Sequence, residues 1–335
     1  MRVLSATTTP RGVRAIGPHP PSESASLDPN HRYANSRVTP RMSIDDDLAL
    51  VFVASYGRSG SSLLMKCLGL HPELCLRRGF PGETRFFQYA YVFNKSAMQE
   101  VTFGESLHYA GIDYTPHEVD DEPARKWVSS TRESLASNRP TASAQLFYRT
   151  LGNREGVATP AIVVEKAIGH DVYNEIASDY ASTRVIFLIR DPRDVFLSVK
   201  RYNAKRGFAH FGAERGDEHL LRRIIAYTKG SLMNAQLLSP RATIVSYGSM
   251  ITQPLLTLRE LFRWLGVDYR DGTIRPIVAG MNPIDRAERQ HMTADSQLHS
   301  VHRWRDEGLD DETKELFSSS SGAINDISTM LKERG

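Results

Sequence analysis

The chain has 335 residues, with 42 lysines and arginines against 39 aspartates and glutamates, which gives a formal net charge of +3. This near balance argues against a protein built to bind nucleic acid, and 40% hydrophobic residues exclude disorder of the whole chain. No stretch of the sequence approaches the roughly 18 apolar residues that a membrane span needs. We therefore expect no integral membrane segment. Because Cys67 and Cys75 form no disulfide framework or zinc motif, we expect the protein to be in the cytoplasm, a reducing compartment.

Residues 1–47 differ from the rest of the chain. Prolines are scattered among serine, threonine and arginine, and no apolar periodicity develops. This composition predicts a disordered N-terminal tail followed by a single domain over residues 48–335. The tail resembles a transit peptide in charge, but its prolines oppose the amphipathic helix that such a peptide needs. A true start at Met42 is the alternative, so the status of residues 1–41 stays open.

Short apolar runs alternate with longer helical stretches from Leu48 onward, which is typical of an α/β fold. The predicted architecture is a P-loop-like, three-layer fold with a central, mostly parallel sheet flanked by helices. The predicted strands span residues 48–55, 161–165, 184–189 and 242–246. The predicted helices span residues 61–70, 83–93, 122–138, 192–202, 218–238, 255–265 and 311–332.

The segment after the first predicted strand has the composition of an anion-binding loop. The run Gly57-Arg-Ser-Gly60-Ser61-Ser62 leads from an apolar strand into a helix, whose N-terminal amides and dipole attract a phosphate. The Walker A motif needs four residues between its glycines and a lysine before the serine or threonine, and this loop has neither. Phosphate binding is therefore favoured over ATP or GTP hydrolysis, with a purely structural turn as the alternative.

A second strand-to-helix junction, at residues 184–198, also has the features of a phosphate-binding site. The strand ends before Arg190, Asp191 is suited to be the helix N-cap, and Asp194 has the spacing of a capping box. Ser198 lies about two turns into the helix, so its hydroxyl and Arg190 are expected to meet at one phosphate at the carboxyl edge of the sheet. The alternatives are that Arg190 pairs with a carboxylate, or that Asp191 binds a metal ion, which the missing Walker A lysine opposes.

Together the two sites resemble those of the sulfotransferase superfamily, which uses 3′-phosphoadenosine-5′-phosphosulfate (PAPS). The pattern is most similar to tyrosylprotein and bacterial sulfotransferases, whose Arg-Ser-Gly-Thr-Thr loop precedes a helix that ends in His-Pro. The matching segments, in order over roughly residues 50–308, are Arg58–Ser62, His71-Pro72, Gly82-Glu83-Thr84-Arg85, Glu165-Lys166, Ser246-Tyr247-Gly248 and Ser300-Val-His-Arg-Trp304. Serines replace the loop threonines, Gly248 replaces a common glutamate, and no cysteine adjoins Lys166, which disfavours protein tyrosine as the acceptor.

The resemblance implies in-line transfer of a sulfuryl group from PAPS to a hydroxyl. It gives catalytic roles to Arg58, Lys166 and Glu83, with Glu83 as the general base and His170 as the alternative base. The residues that it implies for cofactor binding are Arg58, Ser59, Gly60, Ser61, Ser62, Arg190, Ser198, Tyr247, Ser300, Arg303 and Trp304. No metal ion is expected, because PAPS carries no triphosphate to neutralise and the sequence has no cluster of metal ligands.

The sequence leaves the acceptor open among glycans, lipids and small metabolites that carry a hydroxyl. Residues 79–160 and 203–225 are the regions expected to recognise it, and a nucleic acid partner is not expected. The sequence does not indicate an oligomeric state. Two other functions stay open: a P-loop kinase-like phosphotransferase that needs ATP and Mg²⁺, and a nucleotide-binding module without catalysis.

Overall fold

A computed structural model of the protein describes residues 49–78, 82, 84–98, 140–157, 162–167, 170–208, 212–282, 286–306 and 308–332. The predicted tail, the predicted helix at 122–138 and the predicted base Glu83 lie outside these residues. They therefore stay predictions. None of the helices within the described ranges combines the length and the apolar character that a membrane crossing requires.

Within the described ranges, five parallel strands form one sheet. They are β1 (Ala49–Ala54), β2 (Leu74–Cys75), β3 (Ile162–Lys166), β4 (Arg184–Ile189) and β5 (Ala242–Ser246). Their order is β2-β3-β1-β4-β5, and every neighbouring pair is parallel. The four predicted strands are confirmed, and β2 was missed because its two residues are too few to form an apolar run.

Helices connect the strands and complete the chain. They are α1 (Ser61–Gly69), α2 (Phe86–Met98), α3 (Pro140–Glu155), α4 (His170–Asp179), α5 (Pro192–Arg206), α6 (Asp217–Leu237), α7 (Tyr247–Thr252), α8 (Pro254–Leu265), α9 (Asp271–Ala279), α10 (Arg286–His291), α11 (Arg303–Asp306), α12 (Asp311–Ser319) and α13 (Ser321–Lys332). A short 3₁₀ turn spans Leu298–Ser300.

Several helix boundaries depart from the predictions. Helix α2 begins at Phe86 rather than at Glu83, and the helix predicted over 311–332 is two helices that separate at Ser320. The serine-rich stretch there has weak helix propensity, which accounts for the break. Helices α3, α4, α7, α9, α10 and α11 were not predicted. Helix α3 carries few apolar residues, so it shows little of the periodicity that marks a helix.

Helices cover both faces of the sheet, as the three-layer prediction requires. Successive strand residues point to opposite faces, so Phe52 joins one core and Val53 the other. Helices α2 to α6, with α12 and α13, pack on the Phe52 face, and α1 with α7 to α9 pack on the Val53 face. The α/β fold with a parallel sheet between helical layers is confirmed.

The parallel arrangement brings the predicted site residues to one edge. The glycine-serine loop follows β1, Lys166 ends β3, Arg190 follows β4, and Tyr247 follows β5. The strand order reverses at β1, which lies between β3 and β4. Open α/β sheets bind ligands at the carboxyl ends of the strands where the order reverses, so the candidate site lies there.

Both cysteines are buried, and burial raises the pKa of the Cys67 thiol to about 12 and that of Cys75 to about 11. The thiolate is the reactive form, and at pH 8 its fraction would be about 10⁻⁴ for Cys67 and about 10⁻³ for Cys75. We expect Ellman's reagent to detect no rapidly reacting thiol in the native protein and both thiols in guanidinium chloride. A native thiol that reacts within seconds would contradict this packing.

Candidate functional site

The loop between β1 and α1 has a left-handed backbone at two residues. Arg58 has φ 69° and Gly60 has φ 96°, and the amide of Ser59 donates to the carbonyl of Tyr56 at 3.2 Å. Glycine adopts this conformation freely, whereas Arg58 is strained, and such strain concentrates at functional sites. Helix α1 then starts at Ser61, with no side chain on Gly60 to cap it and no acid in its first turn. The N-terminus of this helix is therefore suited to bind an anion.

Arg190 joins this loop to two other parts of the chain. The residue is 7% exposed, and its guanidinium lies over the Tyr247 ring, 4.6 Å from the ring centroid. Its Nη1 donates to the Arg58 carbonyl at 3.0 Å and its Nη2 to the Ser300 carbonyl at 2.6 Å. The Tyr247 hydroxyl and the Ser300 Oγ share a hydrogen bond of 2.8 Å. Four residues of the predicted cofactor site are thus in one network, and the carboxylate pairing considered for Arg190 does not occur within the described residues.

Tyr247 also restricts the loop itself. A Cβ atom on Gly60 would fall well inside van der Waals contact with Cδ2 and Cε2 of the Tyr247 ring. No such conflict exists at Gly57, where a Cβ would meet nothing within 4 Å. Gly60 is therefore required both by its backbone conformation and by this close approach.

Arg58 adds a second positive charge. Its guanidinium lies 4.4 Å from the centroid of the Tyr202 ring and donates to the His291 carbonyl. Burial lowers the pKa of Arg58, and the charges of Arg190 and Arg303 act in the same direction. The buried Nε atoms of Arg58 and Arg190 have no hydrogen-bond partner among the described residues. Positive charge and unused donors together favour binding of an anion.

Ser198 and Arg303 meet at Thr293. The Ser198 hydroxyl, 1% exposed, lies 3.0 Å from the Thr293 Oγ1, and the Nη1 of Arg303 donates to the Thr293 carbonyl at 2.9 Å. Sequence reasoning missed Thr293 because no local motif marks it. Backbone carbonyls of the segment from His291 to Ser300 therefore accept from all three arginines of the site.

Trp304 is held through Asp194. The buried Asp194 carboxylate accepts from the amides of His302 at 2.8 Å and Trp304 at 3.2 Å, so the capping-box expectation for Asp194 is wrong. Asp191 does cap α5, accepting from the Arg193 amide at 2.9 Å. The Arg193 guanidinium lies 3.4 Å from the centroid of the Trp304 ring. Asp194 therefore fixes the backbone on both sides of Arg303, and the Arg193 guanidinium packs against the Trp304 ring.

Lys166 lies on the other side of the loop, at the end of β3. It is in register with Val53 of β1, and the amide of Ala167 donates to the Val53 carbonyl at 2.9 Å. Its half-buried side chain belongs to a different face of the strand from Glu165, which is fully buried. Neither Glu83 nor the side chain of His170 lies among the described residues, so the choice of base stays a prediction.

Comparison with known proteins identifies the family. A model described as "Sulfotransferase family" matches residues 50–271, about two thirds of the chain. The chain therefore belongs to the sulfotransferase family of enzymes, which confirms the resemblance seen in the sequence. The comparison with curated proteins finds no match.

Several of the similar solved structures are described as sulfotransferases. The sulfotransferase domain from the curacin biosynthetic pathway is 18% identical, with a TM-score of 0.46 over 82% of this chain and 97% of that chain. A mouse sulfotransferase, SULT7A1 complexed with PAP, is 10% identical, with a TM-score of 0.46 over 86% and 89%. Sulfotransferase STF9 from Mycobacterium avium is 14% identical, with a TM-score of 0.39 over 82% and 76%.

The close approach of Tyr247 to Gly60 predicts that alanine substitutions at two glycines of the same loop change the free energy of unfolding by different amounts. Gly60→Ala combines left-handed strain with the clash against the ring, so we expect it to lower the free energy of unfolding by about 2–4 kcal/mol. Gly57→Ala places its methyl group in open space, and we expect a change within about 0.5 kcal/mol. Urea denaturation of the two variants compares them directly, and equal stabilities would contradict the described packing of Tyr247.

Proposed function

We propose that this protein transfers a sulfuryl group from PAPS to a hydroxyl of a glycan, a lipid or a small metabolite. Family membership supports the reaction class. The observation that carries the proposal further is the Arg190 network, because it unites a helix N-terminus with a second set of buried cationic and hydroxyl donors. We propose that residues 48–335 form one catalytic domain.

The donor set fits the chemistry of PAPS, which carries a 5′-phosphosulfate and a separate 3′-phosphate. In this proposal Arg58 and the run Ser59–Ser62 hold the phosphosulfate through amides, hydroxyls and charge. Arg190, Ser198 and Arg303 hold the 3′-phosphate, and the buried Nε of Arg190 is a donor that still needs an acceptor. The adenosine would lie against the segment that contains Tyr247, Ser300 and Trp304.

The proposed catalytic roles follow from charge and position. When bound, PAPS supplies the sulfuryl group and a phosphate leaving group. Glu83 accepts the proton of the acceptor hydroxyl as that oxygen bonds to sulfur, with His170 as the alternative base. Lys166 and Arg58 stabilise the negative charge on the transferring group and on the leaving oxygen. The protein thus contributes mostly by positioning and electrostatics.

No role for a metal ion is part of this proposal. Among the described residues, no three histidine, cysteine, aspartate or glutamate side chains are grouped so that they could hold one. A P-loop kinase would require ATP and Mg²⁺, so the two proposals differ in their nucleotide and metal dependence.

Binding of PAP, the desulfated product 3′,5′-phosphoadenosine, tests the proposed cofactor site. We expect isothermal titration calorimetry to give micromolar or tighter binding of PAP and much weaker binding of ATP. Arg190→Ala should weaken PAP binding about 10²-fold, because it removes a buried charge that contacts phosphate.

Arg184→Ala is the matched control for that variant. Arg184 lies at the opposite end of β4, donates to the carbonyls of Trp264 and Leu265, and has its guanidinium 5.7 Å from the centroid of the Trp264 ring. The Arg184→Ala variant therefore loses comparable interactions away from the site, and its affinity for PAP should stay within about twofold of wild type. Equal weakening in both variants, or a preference for ATP with Mg²⁺, would contradict the proposed cofactor.

The proposed catalytic roles predict that substitutions of Glu83 and Lys166 lower the rate of sulfuryl transfer without changing the affinity for PAP. Glu83→Gln and Lys166→Ala should keep PAP affinity within about twofold while lowering transfer from ³⁵S-labelled PAPS by about 10²–10³-fold. Transfer is measured to 2-naphthol, octyl glucoside and water, with and without EDTA. Lys95→Ala is the control, because Lys95 on α2 forms a partly exposed ion pair with Glu175 on α4. Full activity in either site variant would remove that residue from the mechanism.

A further inference from the structure

A buried carboxylate lies beside the proposed catalytic lysine and has no role in the mechanism above. Glu165 is the residue before Lys166 on β3, and its side chain is 0% exposed. Its position at the carboxyl edge of the sheet places it at the candidate site, yet it faces the layer that contains α2 and α3. A charge buried this deeply is costly unless its acceptor positions are filled.

Within the part of the chain that the structure describes, every hydrogen-bond partner of Glu165 is a donor. Its Oε1 accepts from the Phe87 amide at 2.6 Å and from the Tyr148 hydroxyl. Its Oε2 accepts from the Gln88 amide at 3.2 Å and from the Gln88 Nε2 at 2.9 Å. Burial raises the pKa of Glu165, while these donors act in the opposite direction. An arrangement of donors alone fits the ionised carboxylate, which accepts and does not donate.

Two of these donors are the first free amides of a helix. Phe87 and Gln88 are the second and third residues of α2, the positions that an N-cap side chain normally serves. Glu165 fills this role from a neighbouring strand instead of from the residue before the helix. It therefore serves as the N-cap acceptor of α2 and stabilises the first turn of that helix.

The same contacts also hold the backbone of the catalytic lysine. The Gln88 Nε2 donates to the Lys166 carbonyl at 2.9 Å as well as to Glu165. Tyr148 on α3 adds a third element to the cluster, and its side chain is also fully buried. One carboxylate thus connects α2 and α3 to the end of β3.

We propose that Glu165 is a positioning residue that fixes Lys166 and the start of α2 relative to each other, across the acceptor side of the site. The inference rests on the proposed function. The Glu165 cluster consists of Glu165, Phe87, Gln88 and Tyr148. We assign this cluster to turnover and not to binding of PAPS, because its contacts are with β3, α2 and α3 and not with the Arg190 network.

Tyr148→Phe and Glu165→Gln test this role. Tyr148→Phe keeps the ring and removes one donor, and it should lower kcat about tenfold. Glu165→Gln places an amide NH₂ against donors, and it should lower kcat about 10²-fold, since misplacement of reacting groups by about 1 Å has that effect. Both variants should bind PAP within twofold of wild type, measured by calorimetry well below their melting temperatures. Tyr148→Phe carries the test alone if Glu165→Gln does not fold.

Tyr91→Phe is the matched control. Tyr91 is also on α2 and also buried, and its hydroxyl donates to a carboxylate, Asp179, at 2.6 Å. Because Tyr91 has no hydrogen bond with Glu165 among the described residues, the kcat of the Tyr91→Phe variant should stay within twofold of wild type even if the stability of the variant falls.

The outcomes separate the inference from the proposed function. Wild-type kcat in both test variants contradicts the inference alone, and so does a loss of PAP affinity in proportion to kcat, which would indicate a general structural defect. A wild-type protein that binds PAP but moves no ³⁵S label to 2-naphthol, octyl glucoside or water contradicts the proposed function, and the inference with it. A fall in kcat at constant PAP affinity, absent from Tyr91→Phe, supports the inference.

Discussion

Burial of the Arg190 guanidinium is the constraint on which the site depends. A buried guanidinium must find acceptors, and Arg190 finds them in carbonyls that belong to the β1–α1 loop and to the 3₁₀ turn at Leu298–Ser300. The Tyr247 ring covers its remaining face and at the same time limits the loop at Gly60. Four segments that are distant in the sequence are therefore held together by one side chain, and each of them contributes a donor or a surface to the proposed cofactor site.

The parallel sheet supplies the rest of the geometry. Because all strands point the same way, the loop after β1, the end of β3 and the starts of α5 and α7 lie along one edge. The proposed donor site occupies the β1, β4 and β5 side of this edge, and the Glu165 cluster occupies the β3 side. Groups carried on strand ends and first helical turns are held more rigidly than groups on long loops, which suits a reaction that depends on positioning.

Local features of the site could be predicted from the sequence, and long-range ones could not. The β1–α1 loop, Arg190 and the Asp191 cap were visible because strand, turn and helix signals adjoin in the chain. Thr293 and the real partners of Asp194 were not, since each depends on a contact about 95 to 110 residues away. The start of α2 was misplaced for the same reason: its N-cap acceptor is Glu165, 77 to 78 residues further along.

In the proposed function, the buried arginines at the carboxyl edge receive the two phosphate groups of one nucleotide. A crystal structure of the complex with PAP tests it most directly. We expect the 5′-phosphate to lie on the amides of Ser61 and Ser62 and the 3′-phosphate to lie between Arg190 and Ser198. We also expect phosphate oxygens to replace the carbonyls of His291 and Thr293 as acceptors for Arg58 and Arg303. A nucleotide bound elsewhere, with these carbonyl contacts intact, would contradict this arrangement.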